Sequence, residues 1–364
     1  MTETGSVSQK RLLIVSPVGL FGQGGIDRLL FYFLDDLRER GQPMTFDLIG
    51  ARGEAKGWRW VPHFVLALLR FSWLLATRSY GLVHIHVSTD GSALRKQAFG
   101  AVARLLGVPY VIHFHGMISD EAIARNPLWL RALGRLARGS DSVIVLGEAF
   151  RKPFRDVLRV ENSRIEVIYN GVPDIRADAT IPRLYDGVLS LLFCGEIGNR
   201  KGMDLLIAAL AQLKSDDWEC TIAGNGSMQP YEAAIAEAEI SERLDIRGWL
   251  TLPEVHQLMQ QADVVILPSR AEALPLSLIE GACAGNALIA TKIGAVAEVV
   301  HDGVNGFLVA QDSTAIVSVI KQLTREPMTL AGMQEQSRKL YEERFTVPVF
   351  VNAILAIYRR YGVV

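Results

Sequence analysis

The feature that most constrains the fold is a short apolar run, Leu12 to Val15, that leads through a glycine-rich turn into an amphipathic helix. The turn is Gly22-Gln23-Gly24-Gly25, and the helix is predicted from about Asp27 to Arg40. A strand, a glycine turn and a helix in this order are typical of the first part of a doubly wound α/β domain. The pattern therefore predicts a parallel sheet, although the glycines by themselves also fit a simple tight turn.

The alternation of strands and helices continues in two series, separated by a polar stretch at 173–187 that has no apolar periodicity. Residues 1–172 and 188–344 each predict a Rossmann-like domain, and the stretch between them predicts a linker. A hydrophobic helix is predicted within 345–364, and its packing on the first domain is left open. Because ligands bind at the carboxyl ends of strands in such sheets, we expect the two domains to face each other across a cleft.

The composition is that of an ordinary globular chain. The 364 residues are 49% hydrophobic and 21% charged, which excludes a disordered chain and a small disulfide scaffold. A formal net charge of -1 argues against a nucleic-acid partner. Residues 1–180 nevertheless carry 23 Lys and Arg against 17 Asp and Glu. This excess fits an anionic acceptor, an anionic membrane surface or a surface that is merely solvated.

The sequence also indicates the cellular compartment in which the protein is expected. The polar start of the chain lacks the apolar core of a signal peptide, and Arg70 interrupts the nearest candidate membrane span, Val61 to Thr77. Cys194, Cys220 and Cys283 show no paired spacing, which is typical of free thiols in a reducing compartment. We therefore expect a cytoplasmic protein, and a position at the inner face of the cell membrane stays open.

The segment 58–78 allows two interpretations. Its aromatic residues are interleaved with arginines, as in an anchor that lies in the membrane interface. The segment is also apolar nearly all round, which favours a helix buried under a sheet. We expect the buried helix, with a shallow peripheral membrane contact as the alternative. The aromatic residues in question are Trp58, Trp60, Phe64, Phe71 and Trp73.

The strongest chemical signal is a pair of carboxylates, Glu272 and Glu280, on either side of a loop that becomes a helix. The backbone N–H groups at the helix start, at Leu276, Ser277 and Leu278, form an anion site. Carboxylates accept hydrogen bonds from vicinal hydroxyls, so a phosphate between two acids suits a sugar nucleotide. From the spacing alone, two solvated charges are an equal alternative.

A second glycine-rich loop, Gly195 to Gly202, directly follows a predicted strand. Its glycines allow close backbone approach to a ligand, and Arg200 and Lys201 can neutralise a diphosphate. A surface turn with solvated bases is the alternative.

Histidines mark two further strands. His115 follows the strand that contains His113, and a histidine at a carboxyl strand end can hydrogen-bond a substrate. His84 and His86 alternate on the preceding strand, where His84 is expected to be a core residue. Without a helix-spaced His/Glu motif or a Cys pair, we expect no metal site.

Taken in order along the chain, these motifs resemble the retaining glycosyltransferases of family 4, which have the GT-B fold. The resemblance covers roughly residues 11 to 361 and is most specific at the paired glutamates. It rests on the glycine turn at 22–25, His115-Gly116, Asn170-Gly171-Val172, residues 195–202, Gly224-Asn225-Gly226, Pro268-Ser269, residues 272–280 and residues 303–309.

The resemblance implies a role for each matched side chain. Glu272 would hold hydroxyls of the donor sugar, and His115 would contact that sugar beside the reaction centre. Lys201 would bind the donor diphosphate, so that His115, Glu272 and Lys201 form the catalytic set. Glu280 would bind the nucleotide ribose. The remaining implied donor contacts are Gly25, Arg200, Leu276, Ser277 and Leu278.

Two positions depart from the family pattern. The family usually has an arginine where this chain has Glu196, and Arg200 is the candidate to replace that charge from the same loop. If it does not, diphosphate binding is expected to be weaker. Ala273 replaces a common glycine and narrows the room for the sugar.

The resemblance implies a retaining, metal-independent hexosyltransferase that uses a nucleoside-diphosphate sugar and no cofactor. The segment around Ser92, Arg95 and Lys96 resembles transferases of bacterial exopolysaccharide or capsule assembly, in which a glycan or a lipid-linked sugar diphosphate is the acceptor. A basic helix start that faces solvent is the alternative for this segment. Two other functions stay open, a sugar-nucleotide epimerase of the same fold and a non-catalytic sugar-nucleotide binder.

Overall fold

The chain divides into two compact units, each built around one parallel six-stranded sheet. Unit 1 comprises Met1–Gly171 and Val347–Val364, and unit 2 comprises Val172–Thr346. The prediction of two Rossmann-like α/β domains is confirmed. The computed structural model describes residues 10–19, 24–42, 44–53, 60–125, 127–176 and 187–364.

Unit 1 alternates strands and helices along the chain. Its strands are β1 (Arg11–Ser16), β2 (Phe46–Gly50), β3 (Tyr80–Val87), β4 (Tyr110–Phe114), β5 (Ser142–Val145) and β6 (Ile165–Val167). Its helices are α1 (Gly25–Glu39), α2 (Trp60–Thr77), α3 (Gly91–Leu105), α4 (Asp120–Arg125), α5 (Leu128–Gly139) and, from the end of the chain, α12 (Val347–Arg359).

The strand order of unit 1 is β2-β1-β3-β4-β5-β6. Helix α1 leads from β1 to β2 on one side of it, and α2 leads back to β3 on the other side of β1. The strands β4 and β5 are then added next to β3 in chain order. Because such crossovers are right-handed, α1 covers one face of the sheet, and α2, α3 and α5 cover the other. Ring contacts of Phe99 on α3 with Phe64 and Phe71 on α2 hold two of these helices together.

Helix α12 completes the core of unit 1. Its Phe350 and Tyr358 are buried and pack edge-to-face on Phe33 of α1, with ring centroids 6.4 and 5.9 Å apart. Ile354 and Leu30 lie in the same apolar cluster. The apolar face of α1 is therefore covered by residues from the far end of the chain.

Helix α2 differs from the sequence-based expectation. Its inner side, including Phe71, Leu74 and Leu75, is buried, but its outer side is exposed. Burial of the whole helix is therefore a wrong prediction, because a helix in an outer layer has only one side against the sheet. By length and composition alone, Trp60–Thr77 would be able to cross a membrane. The predicted aromatic residue Trp58 lies outside the described residues.

Unit 2 repeats the architecture with the order β12-β11-β10-β7-β8-β9, and β9 is an edge strand. Its strands are β7 (Leu189–Cys194), β8 (Trp218–Ala223), β9 (Leu244–Arg247), β10 (Val264–Leu267), β11 (Ala287–Thr291) and β12 (Gly306–Val309). Its helices are α6 (Met203–Ala211), α7 (Glu232–Glu237), α8 (Leu252–Gln261), α9 (Leu276–Ala284), α10 (Ser313–Arg325) and α11 (Pro327–Arg344).

Candidate functional site

Two loops leave the carboxyl edge of the unit 2 sheet side by side. The loop at 195–202 follows β7, the loop at 268–275 follows β10, and these two strands are neighbours. The loops touch at Gly202, which has a φ of +74° and where a Cβ atom would lie 1.9 Å from the Pro268 carbonyl oxygen. Only glycine therefore allows this approach, and it brings together residues that are about 70 positions apart.

Lys201 and Glu272 form an ion pair at this junction. The Lys201 Nζ lies 2.5 Å from Glu272 Oε1, and Ser269 Oγ donates to the same oxygen at 2.8 Å. The lysine and glutamate side chains are only 13% and 8% exposed. The backbone of the loop is also closely packed at this residue, since a Cβ on Gly294 would lie 2.1 Å from the Glu272 carbonyl oxygen. Lys201 and Glu272, which the sequence predicts separately, are thus held in one buried cluster.

Helix α9 begins directly after this cluster. Its N-cap is Pro275, which has no capping side chain, so the first N–H groups receive no side-chain acceptor from that residue. Ser277 is half-buried and Leu278 is buried. Glu280 is 2% exposed, and side chains on a helix tilt towards its N-terminus, which directs this carboxylate back over the first turn. A helix N-terminus therefore lies between two buried acids.

Two arginines border the same loops. Arg200 donates to Glu196 at 2.7 Å, and both side chains are more than half exposed. The candidate replacement charge is therefore paired with the residue that departs from the family pattern. Arg270 makes two hydrogen bonds to Asp204, at 2.7 and 2.6 Å, and one to the Asn199 carbonyl oxygen. Sequence reasoning missed Arg270 because its partners come from a segment more than 60 residues earlier.

In unit 1, His115 follows β4 and is tied to a second histidine. The His115 Nε2 lies 2.9 Å from the Nδ1 of His86, and the rings are stacked. His86 stacks in turn on His84, whose Nδ1 lies 2.5 Å from the Tyr358 hydroxyl. Burial lowers the pKa of His84 and of His115 to about 3, and it also lowers the pKa of His86. These rings are therefore neutral, and one of the two nitrogens donates to the other, which couples the tautomer of His115 to that of His86.

His84, His86 and His113 bring three ring nitrogens within 4.8 Å of one another. The rings stack, however, with interplanar angles between 15° and 30°. An imidazole binds a metal in the plane of its ring, so stacked rings do not direct three lone pairs at one point. Their arrangement fits a packed column of histidines, and the burial of His84 agrees with its predicted place in the core.

The N-terminus of α1 carries the predicted Gly25, which is exposed. Gly22 and Gln23 of the same turn lie outside the described residues. Asp27, in the first turn, is buried and accepts hydrogen bonds from the backbone N–H groups of Val18 and Gly19. Burial raises the pKa of Asp27. The carboxyl group thus connects the start of α1 to the loop that follows β1.

The predicted acceptor residues do not form one solvent-facing set. Lys96 is 1% exposed, and its Nζ donates to the Ser16 carbonyl oxygen at 3.4 Å, so the expectation that it meets a diphosphate is wrong. Burial lowers the pKa of Lys96 to about 7. The Arg95 guanidinium lies 4.9 Å from the centre of the Trp60 ring, and Ser92 Oγ accepts from a backbone N–H. Roles for Ser92 and Arg95 remain predictions.

Two family models match the chain, one in each unit. Residues 32–171 match a glycosyl transferase 4-like domain, and residues 189–326 match the model of glycosyl transferases group 1. The two matches together span most of the sequence and include Lys201, Glu272 and Glu280.

The chain is also similar to a curated glycosyltransferase and, in fold, to solved structures. The α-D-kanosaminyltransferase of Streptomyces kanamyceticus is 24% identical over 340 residues, which is 87% of this chain and 85% of that protein. A glycosyltransferase of Rickettsia africae ESF-5 superimposes with a TM-score of 0.77 at 19% identity, over 97% of this chain and 99% of that one. Anabaena HepE, solved with UDP and glucose, gives 0.74 at 19% identity, over 96% and 99%.

Proposed function

Because this chain is a glycosyltransferase of the GT-B fold, we propose that it transfers a hexosyl group from a nucleoside-diphosphate sugar to a glycan or a lipid-linked saccharide. The observation that carries the proposal is the buried cluster of Lys201, Glu272 and Ser269 beside the N-terminus of α9. It combines a cation and free backbone donors, which suit a diphosphate, with a carboxylate, which suits sugar hydroxyls. HepE, which was solved with UDP-glucose, supports a nucleotide sugar as the donor.

We assign the donor contacts as follows from the geometry of unit 2. The Lys201 ammonium and the N–H groups of Leu276 and Ser277 bind the diphosphate. Glu272 accepts hydrogen bonds from sugar hydroxyls, and Glu280 accepts them from the ribose. Arg200, paired with Glu196, contributes a weaker charge than an unpaired arginine would.

In the reaction, the bond between the anomeric carbon and the diphosphate oxygen breaks, and negative charge develops on the leaving diphosphate. A preorganised cation and a helix N-terminus stabilise that charge in the transition state. Lys201 already lies in a buried position, so little reorganisation accompanies the step. We propose that these groups supply the positive charge without a divalent metal. Turnover that survives excess EDTA is the expected result, and its loss would contradict this part.

We propose retention of the anomeric configuration. The acceptor hydroxyl attacks the face from which the diphosphate leaves, through a transition state like an oxocarbenium ion, and the leaving phosphate takes the acceptor proton. In unit 1, His115 donates or accepts one hydrogen bond at a sugar hydroxyl, in a tautomer coupled to that of His86. The anomeric coupling constant of the product, measured by NMR, separates retention from inversion.

The acceptor is proposed to belong to bacterial polysaccharide assembly. The α-D-kanosaminyltransferase relative is named for the sugar that it transfers and not for an acceptor, so this relative leaves the choice of acceptor open. The three free cysteines fit the reducing cytoplasm, where we expect the reaction to take place.

A donor panel tests the proposal. Thermal shift with UDP, GDP and their sugars is expected to raise the melting temperature for one base, since a ligand that binds the folded state stabilises it by mass action. Lys201→Ala is expected to abolish most of that shift. Lys214→Ala is the matched control, because Lys214 also pairs with a glutamate in unit 2 but lies on the surface.

The two other functions that the sequence leaves open give different results in the same assay. An epimerase would convert the bound donor to another sugar nucleotide without any acceptor. A non-catalytic binder would show the thermal shift and no turnover with any acceptor. Either result would overturn the transferase proposal while leaving the assigned donor contacts intact.

A further inference from the structure

Helix α2 presents an apolar stripe to solvent. Val61, Val65, Leu66, Leu69 and Trp73 are between 41% and 65% exposed. Val61, Val65, Leu69 and Trp73 follow one another every four residues, and Leu66 precedes Leu69 by three, which places the set along one side of the helix. Contiguous apolar surface of this kind is rare on a protein that contacts only water, and it usually marks a binding surface. The opposite side of α2 is already occupied by the core of unit 1.

The stripe belongs to a broader surface. Helices α2, α3 and α5 cover the same face of the unit 1 sheet, and α3 lies so close to α5 that a Cβ on Gly100 would meet Leu136 at 2.5 Å. Their outward sides therefore lie next to one another. Leu105 at the end of α3 and Leu128 at the start of α5 are 83% and 70% exposed and add single apolar side chains to these two helices. We call the outward side of these three helices the α2–α3–α5 face.

The charge on this face has one sign. The segments 60–77, 91–105 and 128–139 contain no Asp or Glu. Their exposed charged residues are all basic, and three of them follow one another at helical spacing along α5. Arg104 on α3 and two of the α5 arginines also line a cavity of about 460 Å³. The exposed arginines of the face are Arg70, Arg104, Arg131, Arg135 and Arg138.

We propose that the α2–α3–α5 face docks this protein on an anionic lipid bilayer. Leucine and tryptophan side chains enter the boundary between headgroups and acyl chains, and the arginines pair with anionic headgroups. Arg70 sits within the apolar stripe, where its long side chain can bury its stem and keep its charge among phosphates. The proposal goes beyond the transfer reaction and does not depend on which sugar or acceptor is used.

The helix lies on the bilayer and does not cross it. Eighteen residues span about 27 Å as a helix, close to the thickness of a hydrocarbon core. Phe71 and Leu74 of α2, however, are at most 2% exposed in the core of unit 1, and α2 is the connection between β2 and β3. Insertion across a membrane would remove this connection from the sheet.

A second copy of the chain fits the face less well. In a symmetric dimer the same patch occurs on both sides, so the basic face would meet another basic face. Like charges opposed in this way are unfavourable, whereas an anionic bilayer is complementary.

The test is co-sedimentation of the full chain with vesicles. Vesicles of phosphatidylcholine with about 30% phosphatidylglycerol are expected to bind the protein. Vesicles of pure phosphatidylcholine are expected to bind it weakly. Salt at about 0.5 M should release it, because arginine–headgroup attraction is screened. The doubly substituted variant Arg131→Glu and Arg135→Glu is expected to lower the partition coefficient about a hundredfold.

A second variant tests the apolar part. Leu66→Glu with Leu69→Glu is expected to lower partitioning at least about tenfold, with an unchanged circular dichroism melt. The matched controls are Met328→Glu and Arg325→Glu, two exposed positions of unit 2 that should leave partitioning unchanged.

Three results would overturn the proposal. One is equal, negligible binding to both kinds of vesicle. Another is a loss of binding in the control variants as large as that in the face variants. The third is a dimer in sedimentation velocity that the leucine variant dissociates, without vesicle binding by the parent, which would assign the face to protein contacts.

Discussion

The buried pair of Lys201 and Glu272 allows stability and activity to be separated by mutation. Lys201→Met removes the only side-chain cation that the described residues place within hydrogen-bond distance of Glu272, and it leaves the carboxylate with the Ser269 hydroxyl. Breaking a buried pair from one side costs about 3–5 kcal/mol. Because Ser269 remains and the glutamate has slight exposure, we expect the lower value, about 3 kcal/mol.

A second substitution, at Glu272, is expected to restore stability without restoring activity. In Lys201→Met with Glu272→Gln, neither buried charge remains, and we expect about 2 kcal/mol of the loss to return. The catalytic role of the lysine is not replaced by this change. Turnover is therefore expected to be about 10²–10³-fold below the parent in the single variant, the range found when one preorganised donor is removed. It is expected to be no higher in the double variant, which also lacks the Glu272 carboxylate.

The assays are urea denaturation for stability and donor-dependent product formation for activity. A loss of about 3 kcal/mol corresponds to a melting temperature lower by about 6–12 °C in a domain of this size. Lys214→Met, at the exposed pair with Glu239, serves as control and should change neither quantity. The reasoning is refuted if Lys201→Met is as stable as the parent, or if the double variant recovers turnover together with stability.

Three further predictions concern other groups. His86→Leu is expected to lower kcat about tenfold through misorientation of His115, with little change in KM. His86→Asn should retain a higher kcat than His86→Leu. Equal losses of kcat in both variants would argue for a packing role alone. The folded-state pKa of Lys96, about 7, lies below its ordinary value of 10.5, so the unfolded chain binds more protons between these values and stability rises with pH across that window. Urea titrations at pH 7 and 9 should show a smaller rise in Lys96→Met than in the parent, by up to about 1.4 kcal/mol per pH unit. Identical slopes would contradict the lowered pKa of the buried Lys96 amine. Arg270→Lys loses the two-point bond to Asp204 and is expected to raise the donor KM by about tenfold or less; an unchanged KM in steady-state assays would show that the loop holds its position without this anchor.

Much of the architecture follows from local pattern. The strand at 189–194 and the helix at 276–284 begin and end where apolar runs, glycines and prolines predict. Helices α10 and α11 are missed by the sequence-based prediction. They lie after the chemically informative motifs, and the charged helix α11 shows only a weak apolar period.

The site was predictable in its residues but not in its pairings. Motif spacing indicates Lys201 and Glu272 separately, whereas their ion pair depends on β7 and β10 being neighbours. Lys96 shows the opposite case. Its position at a basic helix start predicts exposure, and only the fold reveals that its side chain is directed at Ser16, 80 residues earlier.

The sequence also does not indicate which side of α2 faces solvent. A helix that is apolar all round gives no periodic signal for which side is covered. Helix α3 packs against only one side of α2, so the stripe on the other side stays exposed. Which helices are neighbours follows from the order of the strands in the sheet.

The return of the last helix to the first unit has a consequence for biosynthesis. While unit 2 is being translated, Leu30 and Phe33 of α1 lack Phe350 and Tyr358, the side chains that cover them in the finished molecule. At a synthesis rate of about 5–20 residues per second, the nascent first unit waits on the order of 10–40 s for them. During that interval its uncovered leucines and phenylalanines are a natural target for chaperones on the ribosome. A chain that terminates shortly before residue 347 would leave this surface permanently open to aggregation.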